Sequence, residues 1–542
     1  EIEVGLHHQE LGLPWDKPVP ENLWERVAEY CDNDVISTEA VWEATQKDFK
    51  SREILTKLAN ILCPSITSTV NDTTNQLTGR IIFRGDKKPQ SQFLYTNLTT
   101  GERSDGYKDP CFFPGYIRID NKSHLIIDDC DEEIGEGGYV WAKPGMFKKV
   151  KTLDVASMHP HSVMALKLFG EVYTKNFEDL VNLRIYVKHE DWESAKKTFG
   201  GVLEKFFDDL IASGETDIAG SLKIAINSVY GLTSAKFDNL FRDPRNYDNI
   251  VAKRGALFMC TLKHEVQKMG AEVVHIKTDS IKISDPSEEI INYIIKRGKE
   301  FGYDFEVECI YERFCLVNDA VYVAKKDTND PDYIKESKKA ISENIDIPTR
   351  WTATGTQFQI PYVFKKCFSH EPIEFNDLCE TKEVKTVMYL DMNEGLDDGQ
   401  QAIYERLKEV RAKAIAGEKL TGPESRLLHD EVFSEITDEE LAAKLASYHS
   451  YKFIGRVGLF TPIKPGCGGG ELVREQLKKD GVTGYDAVVG TKGYRWLESE
   501  EVIKNNKQGD IDLSYYDNLV NSAIDTISNF GDYEWFVSDD DD

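Results

Sequence analysis

The sequence predicts a mixed α/β (α+β) fold organised around carboxylates at the ends of buried strands. In residues 153–160 (LDVASMHP), an apolar run leads to Asp154 and is followed by small and polar residues and a proline, a pattern typical of the end of a buried strand. Residues 275–283 (HIKTDSIKI) alternate around Asp279 like a strand and a tight turn. Residues 221–231 (SLKIAINSVYG) lie between them and have helical spacing. The sequence therefore predicts two strands that end near Asp154 and Asp279, with a helix between them in the chain.

The intervening helix has three polar side chains on one face. Lys223, Asn227 and Tyr230 are spaced i, i+4 and i+7, which places them on one side of a helix with 3.6 residues per turn. A cation, an amide and a phenol therefore point the same way.

These three stretches, in this order, resemble the motifs of family B DNA polymerases, which read roughly DxxSLYP, KxxxNSxYG and DTDS. Here they are DVASMHP from Asp154, KIAINSVYG from Lys223 and KTDS around Asp279. Three ordered motifs are far more specific than one, although three unrelated core segments would be the alternative. The resemblance implies a right-hand polymerase with palm, two-helix fingers and thumb, preceded by a remnant of an RNase H-like exonuclease domain.

The resemblance also implies a division of the chain into five parts. Residues 1–60 would be the C-terminal remnant of the 3′–5′ exonuclease domain. The other four parts would be a connecting region with the first part of the palm (61–170), the fingers (171–232), the second part of the palm (233–330), and the thumb with an acidic C-terminal extension (331–542).

In such enzymes a primer 3′-hydroxyl attacks the α-phosphate of a deoxynucleoside triphosphate, and pyrophosphate leaves. Catalysis is mostly positioning and charge neutralisation, for which two hard cations held by carboxylates suffice. The resemblance implies two Mg²⁺ ions, with Mn²⁺ as a substitute, held by Asp154, Asp279 and the backbone carbonyl of Val155.

Further roles follow from the same resemblance. The backbone amides of Ser157, Met158 and His159 would cradle the triphosphate, Lys223 would neutralise it with Asn227 nearby, and Tyr230 would face the nascent base pair. The residues implied to contact primer–template DNA are Gly137, Gly138, Gly231, Lys236, Lys277, Thr278 and Tyr322. Gly137 and Gly138 resemble the family's YxGG segment, but Tyr139 follows the glycines here, so a simple turn is the alternative.

The sequence departs from the family pattern at two motif positions. His159 replaces a tyrosine whose ring packs under the sugar and excludes a 2′-hydroxyl, so discrimination against ribonucleotides is open, although a histidine ring can also fill that space. Lys277 replaces the first aspartate of DTDS. Because the second aspartate is the metal ligand in the family, we expect activity to survive.

Two expected cations are also missing. The KxY element, whose lysine contacts the primer, keeps only Tyr322. The helical turn before Lys223 has no arginine or lysine, so a second triphosphate-binding cation must come from elsewhere. The sequence does not choose among the candidates Lys196, Lys197 and Lys205.

A helix predicted over residues 21–47 has a tyrosine and a carboxylate one turn apart, Tyr30 and Asp34. They resemble the YxxxD motif of the proofreading exonuclease, although a solvated helix face is the alternative. The other exonuclease motifs are expected upstream of Glu1, in a longer protein. Because Asp34 alone cannot complete a two-metal hydrolytic site, no proofreading is expected unless a separate chain supplies the rest.

Composition limits the class of protein. A chain of 542 residues should form several domains. No apolar run is long enough to span a membrane, and no signal peptide is visible. Ten cysteines without a CxxC pair favour a reducing cytoplasm, which would be that of the host if the protein is viral. Compact spacing between the motifs resembles the enzymes of tailed bacteriophages.

Charge weighs against tight DNA binding at high salt. The net charge is −28, and backbone binding needs local positive potential. Residues 498–542 hold 13 acidic and 2 basic residues, which concentrates much of the negative charge in the tail. Lysines precede the first motif, at Lys143, Lys148, Lys149 and Lys151.

The remaining segments give local predictions. Strands are predicted at 80–84, 93–95, 115–119, 305–311 and 320–324. Helices are predicted at 177–185, 192–209 with a break near Ser213 and Gly214, 290–299, 399–416 and 438–447. The glycine-rich segments 464–470 and 490–495 do not match a phosphate-binding loop, and turns are favoured.

Two other classes compete with the polymerase. A catalytically impaired polymerase-fold subunit that binds DNA or organises a replisome would fit the missing motifs and the acidic balance, but the two aspartates speak against it. A reverse transcriptase or RNA polymerase would need two adjacent aspartates after a tyrosine, which residues 275–280 lack.

Overall fold

The protein is described by a computed structural model. The described residues are 6, 10–14, 16–86, 116–119, 122–127, 129–135, 137–214, 218–242, 249–392, 398–448, 450–477 and 483–538. Within these ranges no helix is both long enough and apolar enough to cross a lipid bilayer.

Two compact units divide the chain. Unit I comprises Thr45–Gln359 and Ile524–Asp542, and unit II comprises Glu1–Ala44 and Ile360–Ala523. These boundaries do not follow the five predicted parts, because the first and last parts are each shared between the units. The predicted parts stay predictions about function.

The helices are α1 (Trp24–Ala44), α2 (Gln46–Leu62), α3 (Thr74–Phe83), α4 (Met158–Ala165), α5 (Gly170–Lys188), α6 (Trp192–Lys197), α7 (Glu204–Ser213), α8 (Ala219–Thr233), α9 (Ile250–Lys268), α10 (Glu288–Glu300), α11 (Pro331–Glu343), α12 (Thr356–Gln359), α13 (Pro361–Phe364), α14 (Asp398–Ile415), α15 (Gly422–Leu428), α16 (Glu431–Ser434), α17 (Asp438–Tyr448), α18 (Ser499–Lys504), α19 (Leu513–Ser528) and α20 (Tyr533–Val537). The strands are β1 (Tyr116–Ile119), β2 (Lys122–Ile127), β3 (Cys130–Ile134), β4 (Val140–Ala142), β5 (Gly145–Val155), β6 (Glu272–Lys277), β7 (Ser280–Ser284), β8 (Phe305–Leu316), β9 (Tyr322–Lys326), β10 (Trp351–Ala353), β11 (Glu380–Asp391), β12 (Tyr451–Ile463), β13 (Glu471–Leu477), β14 (Thr483–Ala487) and β15 (Arg495–Glu498). The predicted mixed α/β class is confirmed.

Unit I is built on an antiparallel sheet in the order β10-β9-β8-β5-β7-β6-β4. Strand β5 lies at its centre, between β7 and β8. Leu153 and Val155 of β5 pack into a hydrophobic core with Ile281 of β7 and residues of α9 and α10. Asp154 alternates with these apolar residues, and its side chain is only partly buried.

The second part of unit I is helical. Helices α2, α3, α5, α7 and α8 share one core, which includes Leu58, Ile82, Phe177, Phe207 and Ile226. Helix α5 covers the first predicted segment, but residues 192–209 form two helices, α6 and α7, because Phe199 and Gly200 have positive φ between them. Helix α7 is followed by Gly214 in a left-handed conformation. The predicted break is therefore confirmed, whereas the assignment of these helices as fingers stays a prediction.

The strand predicted at residues 80–84 is wrong, because this segment belongs to α3. A β-branched run favours strand locally, but a capping box between Thr73 and Gln76 starts a helix that buries Ile81 and Ile82. The strand at 115–119 is confirmed over Tyr116–Ile119, and residues 93–95 lie outside the described residues.

The strands predicted at residues 305–311 and 320–324 are confirmed with shifted ends, whereas their assignment to a palm stays a prediction. Strand β8 runs past Tyr311 to Leu316. Strand β9 begins at Tyr322 rather than Ala320, because Asn318 Oδ1 accepts hydrogen bonds from the amides of Ala320 and Val321 and holds them in a turn. The helix predicted at 290–299 is α10.

Unit II contains a second antiparallel sheet, in the order β14-β13-β11-β12-β15. Its core includes Met388, Leu390, Phe460, Leu472 and Trp496. The sequence did not predict this sheet. Helices α14 and α17 match the predicted helices, and the glycine-rich segments 464–470 and 490–495 contain turns, as favoured.

Candidate active site

Asp154 and Asp279 lie side by side where two paired strands meet. Asp154 is opposite Ser280 in the β5–β7 ladder, and Asp279 immediately precedes β7. The amide of Val155 donates a hydrogen bond to the carbonyl of Asp279, with 3.0 Å between nitrogen and oxygen. The structure therefore brings together two aspartates that are far apart in sequence.

A tight turn between β6 and β7 positions Asp279. Thr278 has a φ of 58°, and its amide donates to the carbonyl of Tyr139. Gly138 packs directly on this turn, because a Cβ atom there would lie 2.5 Å from Thr278 Oγ1. Because Gly138 has no side chain, the Thr278 side chain can pack against its backbone. The sequence did not predict this contact.

The two carboxylates repel each other in a partly buried setting. Burial, and then repulsion by Asp279 and Glu308, raises the pKa of Asp154 to about 7. Burial also raises the pKa of Asp279, against the attraction of His159 and Lys282. Neither carboxylate is hydrogen-bonded to the side chain of another described residue. Their negative charge is therefore incompletely compensated.

Further charged groups share this face of the sheet. Asp154 pairs with Glu306 of β8, and Thr152 pairs with Lys282 of β7. Directly opposed and alternate residues of a sheet point to the same face. Four carboxylates therefore form what we call the acidic face: Asp154, Asp279, Glu306 and Glu308. Lys282 lies beside it.

The chain leaves β5 through a left-handed residue. Ser157 has a φ of 62° and is the N-cap of α4, which begins with the buried Met158. Next, the His159 ring stacks on the Tyr230 ring of α8, with centroids 3.9 Å apart and planes 13° apart. Asn249 Nδ2 donates to Tyr230 Oη over 2.9 Å.

Burial lowers the pKa of His159 against the attraction of Asp279. Its Nδ1 is buried and has no hydrogen-bond partner among the described residues. The stacked ring is thus held mainly by packing beside the two aspartates.

The polar face predicted for α8 is present. Lys223 and Asn227 are exposed, and Tyr230 is half-buried. Across from α8, Arg184 of α5 places Nη1 3.5 Å from Ser157 Oγ, and its buried Nε has no partner in the described part of the chain. Burial lowers the pKa of Arg184.

Sequence reasoning missed Arg184. The only indication in the sequence was a positively charged residue within the largely apolar segment 182–188 (NLRIYVK). Helical spacing alone cannot show that its side chain reaches Ser157. Of the three lysine candidates, Lys196 is ion-paired with Asp208 at 2.7 Å and with Glu193 at 3.6 Å. Lys197 and Lys205 are exposed.

The other predicted DNA contacts have different environments. Lys236 and Lys277 are exposed. A Cβ atom added at Gly137 or Gly231 would have no neighbouring atom within 4 Å. Tyr322, by contrast, is half-buried and stacks on Phe314, with centroids 4.9 Å apart. Its ring is therefore part of the core, and a direct DNA contact by this ring has no support in the packing.

Tyr30 and Asp34 lie on α1 in unit II. Asp34 is exposed, and its carbonyl accepts a hydrogen bond from Thr38 Oγ1. Asp34 does not belong to a group of three His, Cys, Asp or Glu side chains that could hold a metal ion within the described ranges. Their exonuclease role stays a prediction.

One group of three such side chains does occur, Cys130, Glu132 and His264, with ligand atoms within 4.8 Å of one another. Lys263 and Tyr139 also bind Glu132. Burial alone would raise the pKa of Glu132, but the hydrogen bonds from Lys263 and Tyr139 outweigh it and lower the pKa to about 2. The ammonium already neutralises this carboxylate, so the group fits a structural network better than a metal site.

No protein-family model matches the chain, and no curated protein matches it. Among solved structures, it is similar to the family B DNA polymerase from the hyperthermophilic archaeon Pyrobaculum calidifontis, with 13% sequence identity and a TM-score of 0.36. The similarity covers 94% of this chain and 57% of that chain. The chain thus spans less than two thirds of that polymerase's length, and a likeness at this level does not assign a family.

Proposed function

We propose that this chain is a DNA-directed DNA polymerase of family B that extends a primer by two-metal-ion nucleotidyl transfer. The observation that carries the proposal is the adjacency of Asp154 and Asp279. The ring of Tyr230, which shares one face of α8 with Lys223 and Asn227, stacks on His159 near these aspartates. Primer–template DNA and deoxynucleoside triphosphates would be its partners. Replication of a bacteriophage genome in the host cytoplasm is the proposed setting.

Two Mg²⁺ ions, or Mn²⁺ in their place, fit the donor set. Oxygen ligands suit both ions, and within the described ranges the two carboxylates accept no hydrogen bond from another side chain. In the proposal Asp154, Asp279 and the Val155 carbonyl hold the ions. When bound, the ions would neutralise charge that develops on the phosphate and activate the primer hydroxyl.

Nearby residues would orient the triphosphate. Backbone amides at the start of α4, from Ser157 to His159, form a helix N-terminus that suits an anion. Lys223 would add a point charge, and Arg184 a planar group able to bind two phosphate oxygens. Arg184 is therefore our proposal for the second triphosphate-binding cation.

The stacked rings of His159 and Tyr230 would contact the sugar and the nascent base pair. A flat ring can test the shape of a base pair without reading its sequence. Exposed Lys236 and Lys277, together with the backbone at Gly137 and Gly231, are proposed DNA contacts.

Primer extension by the full chain with Mg²⁺ tests the proposal. Asp279→Asn removes one negative charge from the metal site and is expected to reduce extension at least about a thousandfold, because the metal ions supply several kcal/mol of charge stabilisation. DNA binding, measured by fluorescence anisotropy, should persist.

Matched controls separate catalysis from folding. Asp285→Asn alters a carboxylate beyond the end of β7 and should leave extension unchanged. Unaltered extension by Asp279→Asn would refute the two-metal mechanism. DNA binding by a wild-type chain that never extends a primer would favour the alternative of a catalytically impaired DNA-binding or replisome subunit.

A further inference from the structure

Lys282 is a buried lysine beside the acidic face. Its side chain lies on β7, directly opposite Thr152 and two residues from Ser280, whose cross-strand partner is Asp154. Only 7% of Lys282 is exposed. Its position on the sheet therefore fixes the ammonium group on the same side as Asp154.

The ammonium group has few partners. Nζ donates to Ser280 Oγ over 3.4 Å, and it lies 5.7 Å from the centroid of the Tyr322 ring. No described carboxylate oxygen lies within 4.0 Å of Lys282 Nζ, the limit for an ion pair. An ammonium has three donors, so Lys282 is not committed to any single acidic side chain.

Lys282 nevertheless acts electrostatically on several carboxylates at once. It lowers the pKa of Asp154, Asp279 and Glu308 against the larger effect of burial. Burial lowers the pKa of Lys282, and Cys309, Glu308 and Asp154 oppose that lowering. His159 also lowers the pKa of Asp279.

We propose that Lys282 is the resident counter-cation of the acidic face: it offsets repulsion among Asp154, Asp279 and Glu308 in the metal-free protein, and it weakens divalent-ion binding there. This inference rests on the proposed function, because it takes the acidic face to be the metal site. A fixed positive charge among metal-binding carboxylates favours the empty site and disfavours the loaded one.

The two effects have opposite signs, which distinguishes this role from packing. Without Lys282, the metal-free protein loses compensation for its carboxylates and becomes less stable. The same loss removes repulsion towards an incoming ion, so metal affinity rises. A side chain that only filled space would change stability without tightening metal binding.

The experiment is a Mn²⁺ titration of the full chain by calorimetry, without DNA or nucleotide. For Lys282→Met we expect the dissociation constant to fall about tenfold or more, the order expected for a screened repulsion between a unit and a divalent charge. The unfolding temperature in chelator should fall, and saturating Mn²⁺ should recover most of the loss.

Three further variants control the result. Lys282→Gln also removes the charge but can still donate to Ser280 Oγ, and should bind Mn²⁺ tightly even if Lys282→Met does not fold. Lys282→Arg keeps the charge and should resemble wild type. Lys253→Met removes another buried lysine, whose Nζ donates to the carbonyls of Ile134 and Gly135, and should leave Mn²⁺ affinity unchanged.

The outcomes separate the two proposals. Mn²⁺ binding that depends on Asp154 but is no tighter in Lys282→Met and Lys282→Gln would overturn the role of Lys282 alone. Wild-type Mn²⁺ binding that Asp154→Asn leaves unchanged would overturn the proposed metal site.

Discussion

The ring of His159 lies flat against the ring of Tyr230, with 3.9 Å between their centroids. The two residues come from different motifs, at the start of α4 and on α8. Their stacking joins the strand that carries Asp154 to the helix that carries Lys223. A substrate bound between these elements would meet the paired rings.

The first prediction concerns sugar selection at His159. His159→Ala removes a ring beside the proposed sugar site, so the preference for deoxynucleotides over ribonucleotides should fall about 10- to 100-fold, the range for a steric contact of this kind. His159→Tyr should retain or increase the preference. The measurement is the ratio of kcat/KM for dATP and ATP in primer extension.

His189→Ala, at an exposed position after α5, is the control and should not change that ratio. An unchanged ratio in His159→Ala would show that the ring does not contact the sugar.

The second prediction concerns the pH dependence of stability at Asp154. The folded pKa of about 7 lies above the ordinary value of 3.8, so the folded protein binds more protons than the unfolded chain between about pH 4 and pH 7. The free energy of unfolding contributed by this group therefore falls as the pH rises through that window, and stays low above it.

Asp154→Asn cannot ionise and should escape this loss. In chelator at pH 8 it should be more stable than wild type by about 1–2 kcal/mol, allowing for solvent screening of a half-exposed group. At pH 4 the two proteins should be similar. Urea unfolding at both pH values measures the difference, and equal stability at pH 8 would contradict the strained carboxylate pair. Primer extension should be lost in the same variant.

The third prediction concerns the contact between Gly138 and Thr278. In Gly138→Ala the new Cβ would lie 2.5 Å from Thr278 Oγ1, so the turn that holds Asp279 must shift. Primer extension should fall about 10- to 100-fold, as expected for a displacement of about 1 Å at a reacting group.

Gly135→Ala is the matched control, because nothing lies within 4 Å of a Cβ there. The double variant Gly138→Ala/Thr278→Gly removes the clashing side chain and should recover activity. Failure of Gly138→Ala to affect extension would mean that the turn adapts without moving Asp279.

The fourth prediction concerns Arg184. Arg184→Ala should raise KM for the deoxynucleotide about 10- to 100-fold, the value of one or two charge-assisted hydrogen bonds, with a smaller effect on kcat. Arg184→Lys should recover part of the loss, because lysine keeps the charge but not the planar fork. Steady-state kinetics at fixed primer–template measures both constants.

Lys175→Ala is a control on the same helix, because Lys175 pairs with Glu178 and Asp179. If KM rises equally in this variant, the effect of Arg184→Ala would reflect the stability of α5 rather than phosphate binding.

The adjacency of Asp154 and Asp279 could be predicted from the sequence for two reasons. The pattern of apolar residues places each aspartate at the end of a strand, and the resemblance of the ordered motifs to family B polymerases implies that both aspartates bind the same metal ions. The face of α8 was predictable for a similar reason, since helical spacing is local. Arg184 and Lys282 were not predictable as site residues, and Gly138 was predicted as a DNA contact but not as a neighbour of Thr278, because each contact is made with a residue more than 20 positions away or across a sheet.

The failures of fold prediction have the same origin. Local preference at residues 80–84 favoured a strand, but burial of Ile81 and Ile82 on α3 decides the structure. In β11 the first half of the strand alternates between half-buried and exposed residues, a weak signal in a segment without a buried apolar run.

Arg313 of β8 connects the sheet of unit I to the last described residues of the chain. Its guanidinium donates to the carbonyls of Trp535 and Ser538 and to Ser538 Oγ, and it is only 2% exposed. A ribosome that has reached residue 359 has delivered every strand of this sheet, but the acceptors at Trp535 and Ser538 are translated only after residues 360–523. Translation therefore completes the contacts of Arg313 in two stages, first the ion pair with Glu312 within β8 and later the hydrogen bonds to the final helix.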